Sequence, residues 1–254
     1  VVGIGDPEVV REHLDPRVHV MKVYDPANQP FHRTRINNDL ARAATTDYIA
    51  IVDTDVVVPQ SQWKVAIESL RSGNADLVYP FDGRMVEVSY GCHSWLERGD
   101  FDSLPIDSQK IIEALSVGGC FTFSRSAFKS FGMENENFKS WGFEDDERVL
   151  RAHRMGMRVQ RLPGVIYHVF HERGPDSRPD NPYIHSNAQE VQRIKHLKIA
   201  ELRARVKSWS WVQERTPVKV LLWNDTWEAD DQLFDLSDGS VEIVHDRSQI
   251  DKCE

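Results

Sequence analysis

The chain has 254 residues, 40% of them hydrophobic, enough to bury a full core as one large domain or as one domain with a small appendage. Its formal charge of -9, from 31 Lys and Arg against 40 Asp and Glu, is scattered along the sequence and argues against a general nucleic-acid binder. Cys92, Cys120 and Cys253 are widely spaced with no CxxC pair, which suggests neither a disulfide framework nor a thiolate zinc site, and no apolar run approaches the roughly 20 residues of a membrane span.

In chain order, VVGIGDPEVVREHLDPRVHVMKVYD reads as strand, short helix and strand: a β-branched run ended by Gly-Asp-Pro, an amphipathic stretch, then alternation. FHRTRINNDLARAATTD has helical spacing through Ile36, Leu40 and Ala44 and leads into an apolar strand, YIAIVDTDVVVP, over residues 48–59. Such alternation favours an α/β fold with a mainly parallel sheet and its chemistry at the carboxyl ends of the strands. SQWKVAIESLRSG spells a helix closed by Gly73, and ADLVYPFD the next strand. Residues 83–107 read as a long polar, aromatic-containing loop of the kind that binds ligands, residues 108–115 as a helix, and VGGCFTFS as a strand. SNAQEVQRIKHLKIAELRARVKSWSWVQER reads as one long basic amphipathic helix with solvated charges, and VKVLLWNDTW with GSVEIVHD as strands of another α/β unit.

Two carboxylates in a Val/Ile-rich run call for a compensating charge, because burying an unpaired carboxylate is costly. Alternation along one strand puts Asp53 and Asp55 on the same side, with Thr54 opposite. A DxD alone is equally a metal site or a turn and capping element. Further on, WGFEDDE opens a helix with Glu144, Asp145, Asp146 and Glu147, more acid than a cap requires. YHVFH then sets His168 and His171 after another strand. A lone His is ordinarily structural, whereas two in a chain carrying a DxD point to neutral imidazole ligation. Asp oxygen and His nitrogen without thiolate suit a divalent ion such as Mn²⁺ (or Mg²⁺) better than a structural zinc. An ion with few protein ligands keeps positions for a diphosphate, which suggests a nucleotide-sugar donor, and a carboxylate across from it would deprotonate an acceptor hydroxyl.

DTD in an apolar strand, then VGGCFTFSRSAF, WGFEDDE and YHVFH, in this order and at these separations, resemble the metal-dependent GT-A glycosyltransferases. The nearest likeness is to the β-1,4-galactosyltransferase and chondroitin-polymerase branch, over roughly residues 31–173. The resemblance implies a GT-A fold, Rossmann-like, with a mixed, mainly parallel sheet flanked by helices over residues 1–215. It implies a metal-dependent inverting transfer from a UDP-sugar to a hydroxyl of a glycan or glycoconjugate acceptor. Asp55 takes the family's metal-binding carboxylate, Asp53 the one that holds the donor's ribose or sugar, and Arg33, in FHR, a donor-binding place. An exposed helix-start Arg is the plain alternative for Arg33. Gly118 and Gly119 resemble the small residues against which the sugar lies. Asp145 corresponds to the general base, Glu144 to the carboxylate that positions sugar hydroxyls, and Trp141 to an aromatic wall. His171 matches the galactosyltransferase metal ligand, while His168 matches both a methionine ligand there and the HVF histidine of polypeptide N-acetylgalactosaminyltransferases; His168 is taken first and His171 second.

Two departures qualify the likeness. Phe143 stands where many relatives carry a second Gly, which puts sugar and acceptor preference in question. The opening VVGIGD looks like the family's second strand, so residues 216–254 are expected to complete the sheet or to begin another domain. Reduced thiols and the lack of a signal-peptide pattern fit a cytoplasmic protein, although a Golgi-lumen domain without its anchor would read the same. A non-catalytic carbohydrate- or nucleotide-binding module on a degenerate fold is the rival reading.

Overall fold

The computed structural model describes residues 31–172, 174 and 177–213; the elements expected in the first 30 residues and after Pro217 lie outside these. The chain divides into two compact units, Val1–Val206 and Lys207–Glu254. In the second, Trp209 and Trp211 stack with ring centroids 4.8 Å apart.

The first unit opens with α1 (Arg33–Ala43), whose buried face carries Ile36, Asn38 and Ala41. Strand β1 (Tyr48–Val52) follows, then β2 (Val56–Val57) and α2 (Gln60–Arg71), which ends where Gly73 turns left-handed at φ +69. Strands β3 (Leu77–Tyr79) and β4 (Met85–Val88) come next, then α3 (His93–Arg98), β5 (Gln109–Glu113), β6 (Cys120–Ser124) and α4 (Arg125–Phe131). Helix α5 (Glu144–Met155), β7 (Val159–Arg161), β8 (Ile166–Val169), α6 (Ile184–His196) and α7 (Ile199–Ser208) complete the described elements. None of these helices is long and apolar enough to cross a membrane.

Two sheets form, in the orders β1-β6-β3-β7 and β2-β8-β4-β5. They are mixed and flanked by helices, as expected. Among the described residues the balance differs from a parallel majority: β3 with β7 and β4 with β8 are parallel, and the other four pairings are antiparallel. The alternation that favoured parallel pairing sits largely in the first 47 residues, and the strands expected there lie outside the described residues. The core between the layers is aromatic, with Phe121, Phe123, Phe128 and Phe131 all buried and ring centroids of 5.2 to 5.8 Å among them.

Four local expectations are corrected. Residues 48–59 are not one strand: the amide of Asp53 donates to the carbonyl of Gly119 at 2.9 Å, ending the β1–β6 ladder, and the amide of Val56 closes back on the Asp53 carbonyl at 3.0 Å. The chain then leaves for the other sheet, so Asp53 and Asp55 flank a turn rather than sharing a strand face. Within 83–107, MVEV forms a buried strand because both of its edges are paired, to β5 and to β8. Residues 109–113 form a strand rather than a helix, and the β-branched pair Ile111-Ile112 suits its antiparallel ladder. The long basic helix breaks at Leu197, which is extended at φ -61, ψ 145. Arg154 donates to the carbonyls of Ile194, Lys195 and Leu197, finishing α6, and the Glu201 carboxylate accepts from the Lys198 amide at 2.6 Å, starting α7.

Candidate active site

Helix α5 begins at a hinge that only its sequence permits. Gly142 has φ +119, and a Cβ there would come within 2.6 Å of Ile184. Phe143 follows at φ +72, left-handed for a residue with a side chain, and is 39% exposed. The turn aims the acidic run at specific partners. The amide of Gly142 donates to Glu144 Oε2 at 2.8 Å, so Glu144 closes its own helix start. Only Asp146 of the four acids is exposed; Glu147 meets Arg151, Asp145 meets Arg33 and Arg148, and Glu144 meets Arg33.

Arg33, at the first position of α1, joins this helix to the β1–β2 turn. Its Nη2 lies 2.6 Å from Asp53 Oδ1, and its Nη1 lies 3.1 Å from Glu144 Oε1 and 3.3 Å from Asp145 Oδ1. Three carboxylates from two elements therefore converge on one guanidinium. Burial, with the Asp145 charge beside it, pushes the Glu144 carboxyl up to about 7 against the pull of Arg33. Burial acts the same way on Asp145, but Arg33 and Arg148 overcome it and hold that carboxyl below its ordinary range. The pair is thus split into a carboxyl that titrates around neutrality and a neighbour that stays ionised. Asp145 Oδ2 faces the chain before β6, so close that a Cβ on Gly118 would come within 2.7 Å of it. Gly119 has φ +80, and a Cβ there would meet Met85 at 2.9 Å. Both positions require the smallest residue.

On the far side of the turn, β2 pairs with β8 so that Val56 lies opposite His168, and the Val169 amide donates to the Asp55 carbonyl at 2.8 Å. This register brings Asp55, His168 and His171 together, with one donor atom from each lying within 4.8 Å of the others. Asp55 Oδ2 is 2.7 Å from His171 Nε2 and 3.5 Å from His168 Nε2. His171 Nδ1 sits 2.9 Å from the Glu172 carbonyl, which can only accept, so Nδ1 carries the proton and Nε2 presents its lone pair in the neutral ring. A lone pair facing a carboxylate at hydrogen-bond distance needs a cation or a further proton between them. Ligands held at about 2.1 Å around one ion lie roughly 3 Å apart, and these spacings bracket that value. The residues fit a divalent ion. Burial would raise the Asp55 carboxyl, but the two imidazoles lower it, and Asp55 in turn raises His168.

Beyond the hinge, an open cleft of about 630 Å³ runs from Phe143 past Asp180, Asn181 and His185 to Ala188. Trp141 beside it is 37% exposed.

The model of glycosyl transferase family 2 matches residues 5–132, half of the chain. The chain belongs to that family. A second model, described as the N-terminal domain of galactosyltransferase, matches residues 112–173 of this family 2 member, the stretch that carries WGFEDDE and YHVFH. Polypeptide N-acetylgalactosaminyltransferase 6 of Bos taurus is 26% identical over 129 residues, covering 45% of this chain and 21% of that protein. Among solved structures, a mutant Drosophila β1,4-galactosyltransferase 7 in complex with manganese, UDP-Gal and xylobiose is 19% identical at a TM-score of 0.37. The catalytic domain of the Drosophila enzyme with xylobiose is 21% identical at 0.38; both alignments cover 56% of this chain and 50% of the other. The family 2 member thus spans about a fifth of the curated relative and half of each matched structure.

Every residue singled out in the sequence falls in this region: Arg33, Asp53, Glu144 and Asp145 in the ion cluster, Asp55, His168 and His171 in the triad, Gly118 and Gly119 before β6, and Trp141 at the hinge. Arg33 is neither exposed nor free to be a mere helix-start Arg; its donors are turned onto carboxylates. Sequence reasoning missed Arg148 and Glu134. Arg148 is fully buried in this family 2 chain, and its spacing of three from Asp145 on a helix was the available signal.

Proposed function

We propose that the protein is a metal-dependent, inverting glycosyltransferase that moves a sugar from a UDP-sugar to a hydroxyl of a glycan or glycoconjugate. The observation that carries this reading is the convergence of Asp53, Glu144 and Asp145 on Arg33, with Asp145 Oδ2 lying against the side-chain-free backbone of Gly118. Membership of glycosyl transferase family 2 supports it. Asp55, His168 and His171 would hold Mn²⁺ or Mg²⁺, which when bound neutralises charge growing on a diphosphate leaving group.

The chain's own groups divide the remaining work. Asp53, at the strand end, accepts from the donor's ribose or sugar hydroxyls, and the side-chain-free backbone at Gly118 and Gly119 lets the sugar lie close to the base. Glu144, which titrates around neutrality, can in its protonated form donate to a sugar oxygen. Asp145 Oδ2 takes the proton of the acceptor hydroxyl as that oxygen attacks the anomeric carbon; the bond to the diphosphate breaks, its electron pair leaves with UDP, and the configuration inverts. The low-lying, ionised state of Asp145 keeps it a base throughout the neutral range. Trp141, Phe143 and the cleft beyond offer aromatic faces with Asp and Asn groups for an acceptor glycan.

The test is UDP release from a panel of UDP-sugars with Mn²⁺ and mono- or disaccharide acceptors. Release abolished in Asp145→Asn and in Asp55→Ala, with both variants folded, is expected. Release undiminished in Asp145→Asn removes the base assignment, and no release from any donor, with UDP nonetheless bound, leaves a non-catalytic module.

A further inference from the structure

We propose that Arg148, locked by Glu134, is the positioning residue of the base: it anchors Asp145 through Oδ1 and leaves Oδ2 as the oxygen that meets the acceptor proton. The proposal rests on the reading of Asp145 as the base.

Arg148 is fully buried on α5 and each side of its fork is engaged. Nε and Nη2 reach Glu134 Oε1 and Oε2, both at 2.7 Å, Nη2 also reaches Asp145 Oδ1 at 2.7 Å, and Nη1 faces the Val117 carbonyl at 3.4 Å. The guanidinium carbon lies 3.7 Å from the centre of the Phe121 ring. Four segments therefore fix its plane, and a bidentate pair fixes its orientation. Arg33 also touches Asp145, but at 3.3 and 3.5 Å, and it is shared with Asp53 and Glu144. The short bond from Arg148 is the anchor.

The pairing with Glu134 has a second consequence. A buried guanidinium whose sole partner were Asp145 would be orphaned whenever the base took up a proton, which is strongly unfavourable. Glu134 gives Arg148 a second, bidentate partner, so Asp145 can cycle between carboxylate and acid without leaving a buried cation unpartnered. The buried pair behind the base makes its protonation reversible at low cost.

The charges facing Asp145 are Arg33 from α1, Asp53 from the β1–β2 turn, Glu144, Asp146 and Arg148 on α5, Glu134 after α4, and the Tyr79 hydroxyl from β3. Removing Arg148 leaves acids in the majority, so the Asp145 carboxyl must titrate higher.

The experiment uses the full chain in two variants. Arg148→Lys keeps the buried charge but loses the fork; Arg148→Met with Glu134→Met removes both charges and orphans neither. The Asp145 carboxyl is followed by ¹³C NMR against pH, assigned by the signal missing in Asp145→Asn, and UDP release is measured with Mn²⁺ on the best donor of the panel. In the double variant the carboxyl is expected to titrate about one pH unit or more higher. The acid limb of kcat should move with it, and kcat should fall roughly 100-fold with KM for the donor little changed. Arg148→Lys should retain most of the titration but lose kcat, because charge survives and geometry does not. An unshifted titration with full kcat in either variant that folds overturns the proposal, as does an equal change in kcat and KM with the titration unmoved. If the double variant does not fold, Arg148→Lys with wild-type kcat is sufficient to overturn it. A wild-type protein that releases no UDP from any donor defeats the proposed activity, while the carboxyl titration still decides whether Arg148 sets the state of Asp145.

Discussion

Replacing Arg33 by Met keeps an unbranched apolar stem and removes a cation that touches three carboxylates. Its partners are unequally placed: the side chain of Glu144 is 2% exposed, Asp145 23% and Asp53 37%. Breaking a buried pair costs about 3 to 5 kcal/mol, whereas a half-exposed contact contributes about 1 kcal/mol or less, so Glu144 dominates and Asp53 adds little. Asp145 keeps Arg148, and Glu144 keeps the Gly142 amide, which draws the expected loss to about 3 kcal/mol at pH 8. The loss depends on pH with a definite sign. The folded value of Glu144, about 7, lies above its ordinary 4.5, so its contribution is full at low pH and is lost as pH rises through 7. Without Arg33 the folded value climbs further, and ionising Glu144 costs more. Asp145 has a depressed folded value, so the stability that Arg33 lends it is present at neutral pH and lost only in acid. Between pH 5.5 and pH 8 Asp145 stays ionised, so it is Glu144 that makes the variant's deficit larger at the higher pH. Urea unfolding should give a loss of about 3 kcal/mol at pH 8 and about 2 kcal/mol at pH 5.5, since a folded value of about 7 lets the Glu144 contribution change by no more than about 1.4 kcal/mol between them. Equal losses at the two pH values would mean that Arg33 acts by packing, and the electrostatic reasoning about the whole cluster would fall with it.

Gly118→Ala puts a methyl group 2.7 Å from Asp145 Oδ2, and Arg148 prevents the carboxylate from moving far; UDP release should fall roughly 10- to 100-fold and urea stability by about 1 to 3 kcal/mol. Phe143→Gly relieves a left-handed φ of +72 worth about 1 kcal/mol, partly offset by the freer unfolded chain, so urea unfolding should show no loss of stability while the preference among acceptors changes. His168→Ala should weaken Mn²⁺ binding, read by calorimetry, by roughly 10-fold or more and leave the fold intact, since the ring is only half-buried on β8.

Helices α1, α2 and α5 and strands β3, β6 and β8 were legible because their periodicity is local. Gly73 and the acidic start of α5 marked ends that the structure keeps. Residues 48–59 were misread because a run of Val and Ile looks the same whether it serves one sheet or two. What divides it is a single long-range bond, from Asp53 to Gly119. Strand β5 was missed for a related reason: its pairing to β4 is set by tertiary contact, not by a pattern in QKIIE. At the site, the acids and histidines announced themselves by clustering in sequence. Glu134 could not, since nothing nearby in the chain tells that it will face Arg148, a residue fourteen positions on and wholly buried. Arg33 carried a motif but not its role, which comes from the two elements it ties together.

Asp55, His168 and His171 are proposed to hold a divalent ion beside a nucleotide site. Calorimetric titration of UDP into the protein, with Mn²⁺ and with chelator, for the wild type and for Asp55→Ala, is the decisive experiment. Binding that needs Mn²⁺ and vanishes in Asp55→Ala is the predicted result. UDP binding of equal strength with chelator, or retained in the variant, would contradict it.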